Sequence, residues 1–263
     1  MGEWLKIAVL GVVQGLTEFL PVSSSGHLLL MRKLFGLTEG GLFLDVMLHL
    51  GTLAAIFTVF WKDIRRMIRH PFERFPKLIV AASVPTAIIG ILLKSRVESL
   101  AETGVMAGVC FLFTGALLWI AENIKNRGWK QIREMSFGNA FFIGVLQGVA
   151  VLPAVSRSGC TLTGCFLSGT ERKTASKFAF IMSIPPILGA ALLEVKDVAE
   201  GGVSLPPAGI GGVLLGVLVS AVSGYVAIKW MLRIIQRGSL KVFSVYVWIL
   251  GAGVIAAQLL HVF

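Results

Sequence analysis

The hydrophobic pattern of this chain consists of long unbroken apolar runs separated by short polar stretches. Six runs, roughly 43–60, 78–93, 104–121, 178–194, 208–228 and 242–262, approach the length a helix needs to cross a bilayer, the second being the shortest. Each predicts a transmembrane helix. Two further stretches, 4–30 and 137–169, are as apolar but are interrupted by Pro, Ser, Gly and a charge, so neither reads as a simple span. The polar stretches sort by charge. Residues 61–77 (Lys62, Arg65, Arg66, Arg69, Arg74, Lys77), 122–136 (Lys125, Arg127, Lys130, Arg133) and 229–241 (Lys229, Arg233, Arg237, Lys241) are strongly basic, which places them in the cytoplasm. The mixed stretches face outward: 195–207, with Lys196 against Asp197 and Glu200, and 94–103, with Lys94 and Arg96 against Glu98 and Glu102.

Threading the chain through these loops fixes the two broken stretches. Residues 137–169 lie between the basic 122–136 and a second basic patch at Arg172, Lys173 and Lys177, so they enter from the cytoplasm and return to it. They are predicted to form a re-entrant helix-loop-helix hairpin, and 4–30 its mirror image on the outer side. An internal repeat points the same way. At an offset of 133, Gly11-Val12-Val13-Gln14-Gly15 lies over Gly144-Val145-Leu146-Gln147-Gly148, and Val22-Ser23-Ser24-Ser25-Gly26 over Val155-Ser156-Arg157-Ser158-Gly159. Each half, about 1–133 and about 134–263, then holds one hairpin and three spans. An odd number of crossings gives the halves opposite orientations. The fold class predicted is an all-α polytopic membrane protein, a single domain over 1–263, with an inverted-topology repeat whose broken elements meet near the midplane.

Composition agrees: 56% of the residues are hydrophobic and 14% charged, with a mean hydropathy of +0.84, far from a soluble domain. The net charge of +10 could suggest nucleic acid, but the basic residues are confined to short loops between apolar runs. Positive-inside topology accounts for them, and no nucleic-acid partner is expected. Three cysteines, Cys110, Cys160 and Cys165, lack metal-ligand spacing and read as small packing residues. Glu3 and Lys6 open a segment unlike a cleavable signal peptide.

Candidate chemistry gathers in the broken stretches. Gln14 and Glu18, four apart, share one face of the first half-helix. A carboxylate at membrane depth costs about 2.5–3.5 kcal/mol on insertion scales and calls for a partner or a polar cavity. Its alternative is a place at the interface, in water. Pro21 breaks the half-helix, and Ser23, Ser24 and Ser25 then precede Leu28-Leu29-Leu30-Met31 as N-cap candidates for a second one. Free N–H groups at such an N-terminus suit an anion. Pro153 and Ser156-Arg157-Ser158-Gly159 repeat the arrangement ahead of Thr161, with Arg157 in the column of Ser24. Two positive helix ends and a guanidinium suit a phosphate or diphosphate. The serines alone could instead satisfy backbone groups exposed by the turns, and Glu18 and Arg157 could form a purely structural bridge. His27, just past the first turn, is a candidate proton donor or acceptor, against the alternative of a packed residue. His49, in Asp45-Val46-Met47-Leu48-His49, is a weaker candidate for the cavity wall, and His70 and His261 read as surface residues. Pro85 and the pair Pro185-Pro186 read as kinks rather than binding groups.

The run Gln14-Gly15-Leu16-Thr17-Glu18-Phe19-Leu20-Pro21-Val22-Ser23-Ser24-Ser25-Gly26-His27, with Ser156-Arg157-Ser158-Gly159 and Thr161, resembles the undecaprenyl-diphosphatase (bacitracin-resistance) family, and the likeness spans the chain. It implies a multi-pass enzyme of the bacterial inner membrane that hydrolyses undecaprenyl diphosphate to the monophosphate and inorganic phosphate. That reaction recycles the lipid carrier for peptidoglycan synthesis and confers bacitracin resistance, and the role favours access from the outer face. On this reading Glu18, Ser24, His27 and Arg157 are catalytic. Gln14, Ser23, Ser25, Gly26, Ser156, Ser158, Gly159 and Thr161 bind substrate. Glu18 acts alone or through a divalent cation, Mg²⁺ or Ca²⁺, that Gln14 would help hold. Ser24 is the preferred nucleophile or the group that positions water; His27 shuttles a proton or, in a rival scheme, is itself the nucleophile. The non-enzymatic rival is an inverted-repeat transporter or flippase of a phosphate-bearing lipid. Two departures from the family pattern stand out: Gln14 replaces a frequent Glu, weakening a two-carboxylate metal scheme, and Ala154 replaces the usual Gly, which predicts a negative φ there.

Overall fold

The computed structural model describes residues 2–37, 41–101, 104–124, 128–199, 206 and 208–260. Glu102, Lys125, Arg127, Glu200 and His261, all named above, lie outside the described residues. The described residues are helical, with no strand beyond an isolated bridge between Lys130 and Thr170. The helices run α1 (Glu3–Phe19), α2 (Ser24–Phe35), α3 (Gly41–Val59), α4 (Trp61–Arg69), α5 (Arg74–Ala101) and α6 (Gly104–Glu122). They continue as α7 (Phe137–Val149), α8 (Arg157–Leu167), α9 (Arg172–Ile181), α10 (Ile184–Ala199), α11 (Gly209–Arg237) and α12 (Lys241–Leu259).

Five stretches are long and apolar enough to cross a bilayer: Arg74–Leu93, Val105–Glu122, Arg172–Leu193, Gly209–Arg237 and Lys241–Leu259. A sixth forms if Phe43–Val59 is counted with Trp61–Arg69, into which it bends by 83°. These fall on the apolar runs read from the sequence, but the helices outlast the runs. Residues 94–101 and 195–199, assigned above to outward loops, continue α5 and α10, and most of the basic stretch 229–241 is the end of α11. Lysine, arginine and glutamate are good helix formers, so they end an apolar run without ending the helix. The predicted span 178–194 begins earlier, at Arg172, and is broken between α9 and α10 at Met182 and Ser183.

The broken stretches are the pairs α1–α2 and α7–α8. Ser23 accepts a hydrogen bond from the Gly26 amide and caps α2; Ser156 accepts one from the Gly159 amide and caps α8. Lipid tails are as apolar as leucine, so membrane helices associate by close packing of small residues rather than by burial from water. On α1 the buried stripe is Ile7, Leu10, Gly11, Gln14, Gly15 and Glu18, ending at Phe19, and it presses into α11. A Cβ at Gly15 would stand 1.9 Å from Ser223 Oγ and 2.6 Å from the Ser220 carbonyl. On α7 the stripe Ala140, Ile143, Gly144, Gln147 and Gly148 presses into α5. There a Cβ at Gly144 would lie 2.0 Å from the Ala82 carbonyl oxygen. Backbone cannot rotate away as a side chain can. Gly144→Ala should therefore destabilise the protein by about 2–3 kcal/mol, at the upper end of overpacking costs, read as a lower unfolding temperature in detergent.

Between these layers lies an aromatic core in which Phe19 meets Phe180 edge-on at 5.7 Å. Outward faces such as Val80, Ile88 and Ile91 of α5, and Leu214, Leu218 and Val222 of α11, are exposed and apolar, as lipid requires.

Candidate active site

The two hairpin tips touch. Ser158 Oγ donates to the Leu20 carbonyl at 3.1 Å, and the Ser156 amide donates to Thr114 Oγ1 of α6 at 3.1 Å. Gly26 leaves no room between the tips: a Cβ there would lie 2.5 Å from Phe111 Cζ and 2.9 Å from Ala154 Cβ. The negative φ expected at Ala154 is not what the chain adopts. Its φ is 63°, and that of Ser23 is 69°. Left-handed backbone costs an L-residue about 1–2 kcal/mol. In both turns the chain must reverse within a few residues while its caps and tip contacts are held, and this over-determines the conformation.

Where the tips meet, the side chains converge on one carboxylate. Glu18 is 5% exposed, and its Oε1 accepts from Arg157 Nη2, a salt bridge across the two hairpins. Its Oε2 accepts from Ser24 Oγ at 2.5 Å and from Gln14 Nε2 at 3.0 Å. His49 Nε2 of α3 lies 3.4 Å from the same oxygen, and His49 Nδ1 donates to the Asp45 carbonyl at 2.7 Å. Both ring nitrogens face acceptors, an arrangement that only the imidazolium satisfies in full. Asp45 in turn pairs with Arg32 Nη1 of α2 at 3.2 Å.

This cluster borders a cavity of about 390 Å³, within the range of small-ligand sites. Its polar wall is Thr17, Glu18, Ser23, Ser24, Ser25, Asp45, His49, Ser156, Arg157 and Ser158; its apolar wall includes Val151, Leu152, Pro153, Pro186, Ile187 and Ala190. Glu18 is thus buried at the polar wall of a cavity rather than exposed to water. Pro186, read above as a kink-former, contributes to the wall from the first turn of α10. The side-chain caps take the Gly26 and Gly159 amides, leaving the first-turn amides of Ser24, Ser25, Arg157 and Ser158 without intrahelical acceptors. Such amides, with a guanidinium beside them, suit a multiply charged anion.

Other predicted site residues sit behind this wall. Gln14 is fully buried under Glu18, its Oε1 without a hydrogen-bond partner. Thr161 bonds back to the carbonyls of Arg157 and Ser158 at 3.0 and 3.1 Å, bracing the first turn of α8. His27 is turned away from Glu18. Its Nδ1 donates to the Ser23 carbonyl at 2.7 Å, so its Nε2 accepts from the Tyr246 hydroxyl of α12, also at 2.7 Å. The neutral ring is fully used in that setting, stacked on Tyr246 with centroids 5.7 Å apart. Asp45 was not among the predicted site residues; its spacing of four from His49 was the signal that could have found it.

A resident divalent cation does not fit this donor set. Both oxygens of Glu18 already accept from Arg157, Ser24 and Gln14, and the described residues contain no group of three His, Cys, Asp or Glu side chains able to hold an ion.

A family model described as bacitracin resistance protein BacA matches residues 7–253. The undecaprenyl-diphosphatase of Carboxydothermus hydrogenoformans is 46% identical over 250 residues, 95% of this chain and 95% of its own. Undecaprenyl-diphosphatase 4 of Bacillus thuringiensis strain Al Hakam is 43% identical over 261 residues, 99% and 100% of the two chains. The undecaprenyl-diphosphatase of Halothermothrix orenii is 40% identical over 255 residues, 96% and 97%. With a model covering nearly the whole length and such identity from end to end, this chain belongs to the BacA bacitracin-resistance family.

Proposed function

We propose that this chain is a membrane phosphatase that hydrolyses undecaprenyl diphosphate to undecaprenyl phosphate and inorganic phosphate, recycling the lipid carrier for peptidoglycan synthesis and so conferring bacitracin resistance. The observation that carries it is the meeting of Glu18 and Ser24 from one hairpin with Arg157 from the other beside a cavity of headgroup size. Arg157, turning from Glu18 toward the incoming anion, and the first-turn amides of α2 and α8 hold the diphosphate. They also stabilise charge on the transferring phosphoryl group. Ser24 Oγ attacks the terminal phosphorus as Glu18 Oε2 takes its proton; the bond to the bridging oxygen breaks and undecaprenyl phosphate leaves. Water then hydrolyses the phosphoserine. A Ser24 that positions the attacking water shortens this to one step. Ser25, Ser156 and Ser158 line the anion's path, Gly26 and Gly159 let the tips close, and Ser23 and Thr161 hold the turns. For His27 to shuttle a proton, its ring must leave the Ser23 carbonyl and the Tyr246 hydroxyl that hold it away from Glu18.

The same reading takes 1–263 as one integral domain of two inverted halves, with six spans and the re-entrant pairs α1–α2 and α7–α8. Buried positions 7, 10, 11, 14 and 15 of α1 recur as buried positions 140, 143, 144, 147 and 148 of α7 at the offset of 133, and α1 packs on α11 as α7 packs on α5, which supports it. The protein would lie in the inner membrane with the site opening to the outer face. Purified protein in lipid nanodiscs should release phosphate from undecaprenyl diphosphate. Movement of the intact lipid without release would make it the transporter instead. Rapid quenching with terminally labelled substrate should leave the label on Ser24; a label on His27 would select the rival nucleophile.

A further inference from the structure

The basic stretch after the first predicted span was read as a loop, but its first nine residues fold as α4, whose faces divide sharply. Asp63, Ile64 and Met67 turn inward: Ile64 is buried, and Asp63 pairs with Lys177 of α9 at 2.5 Å. At helical spacing, Trp61 and Ile68 form the next edge, 53% and 69% exposed, and Phe72 just beyond the helix is 83% exposed. Lys62, Arg65 and Arg69 form the third edge. Of the cations here, Arg66 is held by Glu73 through two hydrogen bonds of 2.9 and 3.2 Å. Lys62, Arg65 and Arg69 have no ion-pair partner among the described residues. With Arg66, His70 and Glu73 they surround an open hollow of about 390 Å³.

We propose that α4 and the turn to Phe72 form an interfacial element that seats anionic phospholipid headgroups. The helix bends by 83° from the preceding apolar segment, so where that segment crosses the bilayer α4 runs close to the membrane plane. A helix so placed, with an apolar edge beside a cationic one, puts its apolar side chains at the acyl boundary and its cations among the phosphates. Three large apolar side chains this exposed have no use in water, and three unpaired cations next to them have none in hydrocarbon. The boundary layer serves both. The occupant is therefore lipid phosphate, with phosphatidylglycerol as the probe. This is separate from the cavity at Glu18 and does not depend on the reaction proposed there.

Each cation near an anionic leaflet contributes about 1 kcal/mol, or roughly fivefold. The full chain should retain phosphatidylglycerol over phosphatidylcholine in a native mass-spectrometry competition, and Lys62→Gln/Arg65→Gln/Arg69→Gln should lower that preference at least roughly tenfold. Lys229→Gln/Arg233→Gln/Arg237→Gln, which removes the same charge from the end of α11, should retain most of it. A nitroxide on Phe72→Cys should collide with oxygen dissolved in the lipid rather than with a water-soluble nickel reagent. Unchanged preference in the α4 variant, equal loss in both variants, or a water-exposed nitroxide would each overturn the proposal. The last result would assign the cations to an acidic protein partner.

Discussion

Arg157→Lys should lower kcat/KM for undecaprenyl diphosphate by about 10²–10³-fold while leaving the protein folded. Lysine keeps the charge but is a point donor, whereas the guanidinium can grip two phosphate oxygens in one plane. The loss should be mainly in kcat, because the charge Arg157 faces grows as the phosphoryl group transfers. Arg157→Ala should be worse, on the order of 10³–10⁵-fold, as for arginines that stabilise transferring phosphoryl groups elsewhere. That variant is also harder to interpret. It leaves the Glu18 carboxylate buried with the His49 ring, 3.4 Å away, as its remaining ionisable neighbour, a change that costs about 3–5 kcal/mol when one member of a buried pair is removed. Unfolding temperature must be read beside activity, and the lysine variant is the cleaner test. If Arg157→Lys stays within threefold of wild type, the arginine is a structural bridge.

Glu18→Gln is the second large effect, with an expected loss of about 10²–10⁴-fold, the usual contribution of a general base. The substitution is isosteric. A glutamine oxygen still accepts from Arg157 or Ser24, so the hairpins remain tied. What it removes is the ability to take the Ser24 proton across the 2.5 Å hydrogen bond. A purely structural Glu18 would give the opposite result, a shifted unfolding temperature with activity nearly intact. The substitution also lowers the charge next to His49, which loses its carboxylate partner at 3.4 Å. Some of the measured loss will therefore pass through His49, and His49→Gln measured alone separates the two.

Much of this site was legible along the chain because its chemistry is local. A carboxylate four residues past a glutamine, a proline break and a serine cap are each decided within one helical turn, and the offset of 133 marked the second hairpin without any tertiary information. What the sequence could not show depends on distant partners. His27 read as a proton donor or acceptor from its place after Gly26, yet its ring is held by Tyr246, 219 residues away. His49 reaches Glu18 from α3, which packs on α1, and brings Asp45 and its Arg32 partner behind it, a placement no local pattern encodes. The positive φ at Ala154 belongs to a turn packed against the tip of the other hairpin, where a Cβ on Gly26 would lie 2.9 Å from Ala154 Cβ. In α4 the density of positive charge hid a helix: the same arginines and lysines that mark a cytoplasmic stretch are good helix formers, and the 83° bend after the apolar segment comes with an ion pair between Asp63 and Lys177 of α9, 114 residues away.

The central claim is that the two hairpins act as one phosphate-cleaving unit. The most direct test is phosphate release in nanodiscs by Glu18→Gln, Arg157→Lys and the double variant. Residues that act together lose their function once, so the double variant should be about as slow as the slower single. Losses that multiply would show that Glu18 and Arg157 contribute independently, and would contradict a site built jointly by the two halves of the chain.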